Sequence, residues 1–249
     1  MRSLLIAPAD EQRLVEALES GADAVIVDLA GAAPAERAGA RAAAAQFLKA
    51  ARGKIGGPVL IARANALNSG ETDSDLDAVV AVAPDSILLP GSLGAASVQQ
   101  LSAKLAVREA EFALPDGATR IIAVADTAQS LFHMGSYRSS SARLIGLSWS
   151  AEALRVDIGA ERTRDRLGDT LGPYRLAREL ALLAATSARV AAIDTAFPNI
   201  HDLEGLRAEA LAARREGFTG KIVLDPAQVG VVNDVFPSRS MRLAKGSPT

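Results

Sequence analysis

The sequence predicts a single-domain α/β protein of the (β/α)8 TIM barrel class, and three observations support this prediction. Short apolar runs alternate with longer segments of helical period, which is the pattern of βα units in a parallel sheet. The unit recurs about eight times in 249 residues, close to the ~250 residues typical of a (β/α)8 barrel. No G-x-G-x-x-G follows the first run and no Walker A pattern occurs, so a doubly wound open sheet is the weaker alternative.

The predicted strands are brief and nearly all apolar, as expected for strands that are buried on both faces. In chain order they are Ser3–Pro8, Asp23–Leu29, Pro58–Asn65, Ser86–Pro90, Arg120–Asp126, Leu144–Ser150, Val190–Phe197 and Gly220–Pro226.

Segments of helical period lie between these strands, among them Asp10–Ser20, Ala35–Arg52, Ala95–Leu114, Pro173–Arg189 and Asp202–Gly217. Gly21 and Gly217 stand where a left-handed residue ends a helix. Because no linker or low-complexity segment divides the chain, we assign residues 1–236 to one barrel and residues 237–249 to a short C-terminal tail.

Composition narrows the possible partners and the compartment. The formal net charge is -2, and charges so nearly balanced give no positive electrostatic potential that would attract nucleic acid or anionic lipid. The absence of cysteine excludes disulfides, thiolate metal sites and a cysteine nucleophile, and it fits a reducing cytosol. No apolar stretch approaches the length of a membrane span. We therefore expect a soluble, cytoplasmic protein with neither nucleic-acid nor membrane partners.

In a barrel of this class, the residues that carry chemistry lie at the C-terminal ends of the strands. The polar residues at those predicted ends are Asp28, Arg63, Asn65, Asp126, Trp149, Glu152, Asp194 and Asp225.

Arg63 is the strongest single candidate for binding and catalysis. It stands near the end of the otherwise apolar segment LIARAN, where a guanidinium in the barrel mouth can hold a substrate carboxylate with two hydrogen bonds. The alternative is a structural ion pair with Asp28 or Asp126. Asn65, two residues further on, is a second candidate for substrate binding.

Asp126 ends RIIAVAD and is a candidate oxygen ligand for Mg²⁺, which usually takes one or two carboxylates together with waters and substrate oxygens. Glu152, just beyond LIGLSWS, is the nearest second ligand. The alternative for Glu152 is structural, because Ser150 can begin a helix whose N-terminal end attracts the acid.

The remaining polar groups favour structural roles. Asp194 and Asp225 are expected to satisfy loop amides or to cap the helices that follow them. His133 and His201, the two histidines of the sequence, are expected at the surface or at helix ends. No Ser-His-Asp or G-x-S-x-G arrangement is present.

Together these motifs resemble the HpcH/HpaI aldolase and citrate lyase family, in its citrate lyase beta subunit-like branch. The resemblance spans nearly the whole chain. It lies in RSLLIAPAD, SGADAVIVDLAGAAPAERAGAR, IARAN, SILLP, AEALRVDIGAERT and AAIDTAFPNIHDLEGLRAEALAARREGFTGKIVLDPAQVGVVNDVF.

The resemblance implies a magnesium-assisted (β/α)8 enzyme, often homotrimeric, that cleaves or forms carbon–carbon bonds in acids or their CoA thioesters. Such a retro-Claisen step builds an enolate, whose oxygen charge needs a cation beside it. The family's arginine corresponds to Arg63, and its metal-binding glutamate corresponds to the shorter Asp126.

Several other family positions differ in this sequence. Ala153 replaces the family's metal-binding aspartate, and Ala30 with Gly31 replaces an acidic pair. Gly91 and Leu93 stand where members carry a lysine and an acid, and Asp225 replaces a histidine. Members also continue into a C-terminal segment over a neighbouring subunit's site, and this sequence ends about where that segment is expected to begin.

Three hypotheses follow. The favoured one is a carbon–carbon lyase acting on a carboxylic acid or its CoA thioester with altered or reduced activity, assisted by Mg²⁺ on Asp126 and Glu152. The alternative is a noncatalytic member that binds a small carboxylate or a protein partner. A third is a different aldolase-type enzyme with metal ligands recruited elsewhere, such as Asp28 or Asp225.

Overall fold

The structure is a computed structural model that describes residues 1–166 and 168–237. Within these residues eight parallel strands close into a barrel in sequence order, which confirms the predicted fold class. The strands are β1 Ser3–Pro8, β2 Ala24–Asp28, β3 Val59–Arg63, β4 Ser86–Leu89, β5 Arg120–Ala125, β6 Leu144–Trp149, β7 Ala191–Asp194 and β8 Gly220–Val223. Residues 238–249 of the predicted tail lie outside the described residues.

Helices surround the barrel and connect successive strands. They are α1 Glu11–Glu19, α2 Arg37–Ala51, α3 Thr72–Val79, α4 Ala95–Glu111, α5 Ala128–Phe132, α6 Ala151–Asp157, α7 Gly172–Ala188, α8 Leu203–Glu216 and α9 Pro226–Val235.

Local sequence explains where several helices begin and end. Asp10 and Asp202 each accept a backbone N–H with the side chain at the start of α1 and α8, as N-cap residues do. Gly217 ends α8 with a φ of 119°, a left-handed conformation that glycine adopts without strain. None of the helices among the described residues has the length and apolar character needed to cross a bilayer.

Two apolar layers form the core. Alternate strand residues point into the barrel, where Leu4, Ile26, Ile61, Ile122 and Ile193 pack together. The residues between them point outward and pack against the helices in a larger outer layer. This alternation brings side chains near the C-terminal ends of several strands into one opening, the barrel mouth.

Three strands, β3, β7 and β8, are clearly shorter than predicted, and the predicted segment Pro58–Asn65 contains a strand only over Val59–Arg63. The predicted segments Val190–Phe197 and Gly220–Pro226 contain strands only over Ala191–Asp194 and Gly220–Val223. β8 ends early because a helix begins directly after it. Asp225 caps α9 and Pro226 is the first residue of that helix, a favourable position for proline.

Candidate functional site

The barrel mouth opens into a cavity of about 1350 Å³. Its barrel side is lined by Arg63, Leu88, Asp126, Trp149 and Thr195, and the cavity continues outward between α7 and α8. A cavity at the C-terminal face is where chemistry is expected in this fold.

Arg63 lies in the mouth beside Asp28. The two residues are direct partners in the pairing of β2 with β3, and Arg63 Nη1 donates to Asp28 Oδ2 at 2.9 Å. The predicted alternative of an ion pair is therefore present. It uses one N–H of the guanidinium, whose side chain is 29% exposed, and leaves the other donors available to a ligand.

Asp126 lies at the end of β5, nearly buried in the same mouth. Its Oδ1 accepts the backbone N–H of Gly91 at 2.9 Å. Burial raises the pKa of Asp126 to about 6, against the opposing effects of the Gly91 N–H and the charge of Arg63. The prediction that Asp126 faces the site is consistent with this placement, but one of its oxygens already holds the turn after β4.

Glu152 stands in the first turn of α6, and both of its carboxylate oxygens have partners in the protein. Arg155 Nε donates to Oε2 at 2.8 Å and Thr163 Oγ1 donates to Oε1 at 3.2 Å. Ser150 begins the helix by accepting the N–H of Ala153. This geometry favours the structural alternative for Glu152.

Asn65 is turned toward α3 and is not among the residues that line the cavity. Its backbone N–H and its side-chain amide both donate to Asp75 Oδ2, at 2.7 and 2.8 Å. Asp75 is itself buried and accepts from Arg41 Nε at 2.8 Å. Asn65 as a substrate contact stays a prediction, and its observed role is to tie the end of β3 to α2 and α3.

The opposite wall holds a charged cluster that the sequence did not predict. Lys221 of β8 is fully buried, and its Nζ donates to Asp194 Oδ2, Thr195 O and Glu209 Oε1 at 2.9, 2.7 and 2.8 Å. Asp194 Oδ1 accepts from Trp149 Nε1 at 3.0 Å. A lysine inside the short strand GKIV was the available signal, because a buried cation needs partners.

The two aspartates expected to have structural roles differ in what they do. Asp225 caps α9 by accepting the Ala227 N–H, as predicted. Asp194 caps no helix, because its oxygens are taken by the buried cluster. His133 and His201 are both exposed, in agreement with the expected surface roles.

The acids of the mouth do not fit a resident Mg²⁺ ion. Within residues 1–166 and 168–237, no group of three or more His, Cys, Asp or Glu side chains is placed to hold a metal. Among the acids predicted at strand ends, Asp126 alone lines the cavity without an Arg or Lys partner, because Glu152 is paired with Arg155. Ala153 has no ligand atom.

Comparison with known proteins gives the family. Residues 2–226 match the family described as HpcH/HpaI aldolase/citrate lyase. The chain belongs to this family. It is 32% identical to the citrate lyase subunit beta of Leuconostoc mesenteroides subsp. cremoris over 237 residues, 94% of this chain and 76% of that protein. It is 30% identical to a (3S)-malyl-CoA thioesterase of Cereibacter sphaeroides over 94% of this chain and 76% of that protein.

Solved structures of the HpcH/HpaI aldolase/citrate lyase family agree with the fold. A citrate lyase beta subunit of M. tuberculosis, complexed with oxaloacetate and magnesium, has a TM-score of 0.79 at 28% identity and covers 95% of this chain and 96% of its own. The Mycobacterium tuberculosis protein CitE, in complex with magnesium, acetoacetate and coenzyme A, has a TM-score of 0.79 at 28% identity and covers 98% and 85%. Members of the family thus bind magnesium with small carboxylates.

Proposed function

We propose that this chain binds a small carboxylic acid, or the CoA thioester of one, in the barrel mouth and acts as a carbon–carbon lyase of the citrate lyase beta-like type with altered or reduced activity. The observation that carries the proposal is Arg63, a partly exposed guanidinium at the end of β3. Relatives named as a citrate lyase subunit and as a malyl-CoA thioesterase support the substrate class.

Within this proposal, Arg63 carries both binding and charge stabilisation. A guanidinium binds a carboxylate with two parallel hydrogen bonds, and the same positive charge stabilises the oxygen charge that develops when a carbon–carbon bond breaks to leave an enolate. Asp28 orients the guanidinium through its 2.9 Å bond. Magnesium supplies Lewis-acid chemistry when bound in family members, but the strand-end acids of this mouth do not fit it.

A noncatalytic carboxylate-binding protein is the second candidate function. It is favoured by the same acids, because Asp126 and Glu152 hold protein groups and Ala153 supplies no ligand. Under this alternative Arg63 remains as the anchor of the ligand, and nothing is turned over.

The experiment compares binding and turnover in matched variants. Titration calorimetry with oxaloacetate and pyruvate is combined with an assay for cleavage of citryl-CoA and malyl-CoA, using wild type, Arg63→Met and Arg207→Met. Arg207 is a control arginine on α8, paired with Asp234. Cleavage above background that only Arg63→Met abolishes supports the lyase, whereas binding without cleavage supports the alternative. Absence of both would refute carboxylate recognition.

We further propose a homo-oligomer, a trimer, in the cytoplasm. The family resemblance supports the assembly. The absence of cysteine fits a reducing compartment. Light scattering on the eluted protein is expected to give three times the 25.7 kDa of one chain, and a monomer mass would contradict the trimer.

A further inference from the structure

We infer that the barrel mouth binds its carboxylate ligand without a resident divalent cation, and that Asp126 instead holds the turn that follows β4. The inference rests on the proposed carboxylate binding and concerns which group balances the negative charge of the ligand. The observations that carry it are the hydrogen-bond partners of the acids around the mouth.

Every acid predicted at a strand end is already hydrogen-bonded to this chain. Asp28 accepts from Arg63 and from the Gly31 N–H at 3.1 Å, and Glu152 is bonded on both oxygens. The buried Asp194 and the helix-capping Asp225 are likewise engaged, as described above. Of these acids, Asp126 alone lines the cavity without an Arg or Lys partner. A single carboxylate is a poor resident site for Mg²⁺, which demands a near-ideal octahedron and gives up its waters reluctantly.

The contact between Asp126 and Gly91 has the features of a built structural tie. Gly91 has a φ of 62°, a left-handed conformation that costs other residues energy. This conformation accompanies the approach of its N–H to Asp126 Oδ1 at 2.9 Å. The next residue, Ser92, donates its N–H to Val124 O at 3.1 Å. Two successive N–H groups therefore fasten the turn to the end of β5.

Further contacts surround the same turn. A Cβ added at Gly91 would lie 3.2 Å from the Cβ of Ala66, tighter than ordinary packing. Tyr137, fully buried, donates its hydroxyl hydrogen to the Ser92 backbone or side-chain oxygen, each at 3.0 Å. The turn that forms one side of the mouth is thus held by Asp126 Oδ1 together with Val124 O and Tyr137, and an uncharged oxygen at position 126 can accept the same Gly91 N–H.

The charges around the cavity determine how Asp126 affects the affinity for a carboxylate ligand. Arg63 is the cation at the barrel end of the cavity. On the far side Arg164 and Arg178 are paired with Glu209 and Glu216, and Arg175 of α7 also lines the cavity. An ionised Asp126 beside Arg63 repels a carboxylate ligand when no metal ion lies between them. If Asp126 coordinated a metal ion for the ligand, its negative charge would be required instead.

Asp126→Asn separates the two roles. Asparagine keeps an oxygen that accepts the Gly91 N–H, and it removes the negative charge. The inference predicts that Asp126→Asn binds oxaloacetate and pyruvate about threefold more tightly than wild type. It also predicts that wild-type affinity is the same within a factor of two in EDTA and in millimolar MgCl2. Asp126→Ala is the comparison variant, because it removes both the charge and the oxygen that accepts the Gly91 N–H.

Binding of a metal alone is measured with Mn²⁺ by electron paramagnetic resonance, on wild type and Asp126→Asn, without a carboxylate. We expect no stoichiometric site in either protein. A single Mn²⁺ site that Asp126→Asn abolishes, or a tenfold loss of carboxylate affinity in EDTA, would overturn the inference while leaving the proposed function intact. Absence of carboxylate binding in both buffers would refute the proposed function, and this inference with it.

Discussion

We expect Lys221→Met to lower the unfolding free energy of the barrel strongly. Lys221 is fully buried between β8 and the outer helices, and its Nζ is saturated by three acceptors at 2.7–2.9 Å. Two of these acceptors belong to the carboxylates of Asp194 and Glu209. Methionine has nearly the same length, so the change removes the charge and the donors while keeping most of the volume.

The size of the stability loss depends on which partners the two carboxylates keep in Lys221→Met. Glu209 keeps Arg164 as a partner, whereas Asp194, itself 1% exposed, keeps the Trp149 N–H and a longer contact of 3.3 Å to Arg178. Breaking a buried ion pair by removing one member costs about 3–5 kcal/mol. At about 2–4 °C per kcal/mol for a domain of this size, the melting temperature should fall by about 6–20 °C.

The cost should depend on pH in a defined direction. Burial alone raises the pKa of Asp194, but the charges of Lys221 and Arg178 outweigh it and hold that pKa below its ordinary value of 3.8. The stability that a lowered carboxyl pKa contributes is fully present above 3.8 and is lost as the pH falls through the folded-state pKa. The difference between wild type and Asp194→Asn, which has no carboxyl at this position, should therefore shrink below about pH 4.

The assay is urea unfolding followed by circular dichroism, for wild type, Lys221→Met, Asp194→Asn and the double variant. Asp194→Asn keeps an acceptor for Trp149 and provides a milder test where the first variant unfolds. Because the two residues are in contact, the double variant should lose less than the sum of the two single losses. A Lys221→Met loss below about 1 kcal/mol, or strict additivity, would refute the assignment of Lys221 as the central charge of this wall.

Two further predictions concern the residues that follow β5 and β3. Because burial raises the folded-state pKa of Asp126 to about 6 from 3.8, wild type should lose about 2 kcal/mol of unfolding free energy relative to Asp126→Asn as the pH rises from 4 to 7. Parallel pH curves in calorimetry would contradict this. Asp75→Ala should cost about 2–4 kcal/mol, because it leaves Arg41 and the Asn65 amide without their buried acceptor. The control is Asp77→Ala, at an exposed position of the same helix, which should cost under about 1 kcal/mol in the same urea unfolding. Equal losses in the two variants would refute the assignment of Asp75 as the acceptor that joins β3 to α2.

Local pattern was sufficient to predict the barrel. Eight apolar runs separated by helical segments specify a parallel sheet covered by helices, and Gly217 at the end of α8 follows from its freedom at positive φ. The boundaries of β7 and β8 were predicted too long, because apolar composition does not reveal where a loop or a helix cap takes over. The pairing of Asp28 with Arg63 was foreseen as an alternative because both residues end strands.

The candidate site was predicted only in part. Arg63 and Asp126 were identified because each is a charged residue at the end of an apolar run, and both line the mouth. Glu152 was chosen on the same ground and also lines the cavity, but its oxygens accept from Arg155 and Thr163. The Asn65 side chain lies outside the cavity and contacts α3. Position relative to a strand end does not determine side-chain direction beyond the strand, where the alternation of faces no longer applies.

By itself the sequence determined the class of fold and the face that carries the candidate site, and it predicted Arg63 as the side chain that binds a carboxylate. Only the tertiary structure decided which acids are free to act. Asp194 meets Lys221 and Trp149 across 27 and 45 residues of sequence, and Asp126 meets Gly91 across 35. A carboxylate binds whichever donors the folded chain brings to it, and these donors come from segments whose spacing in the sequence carries no trace of the contact.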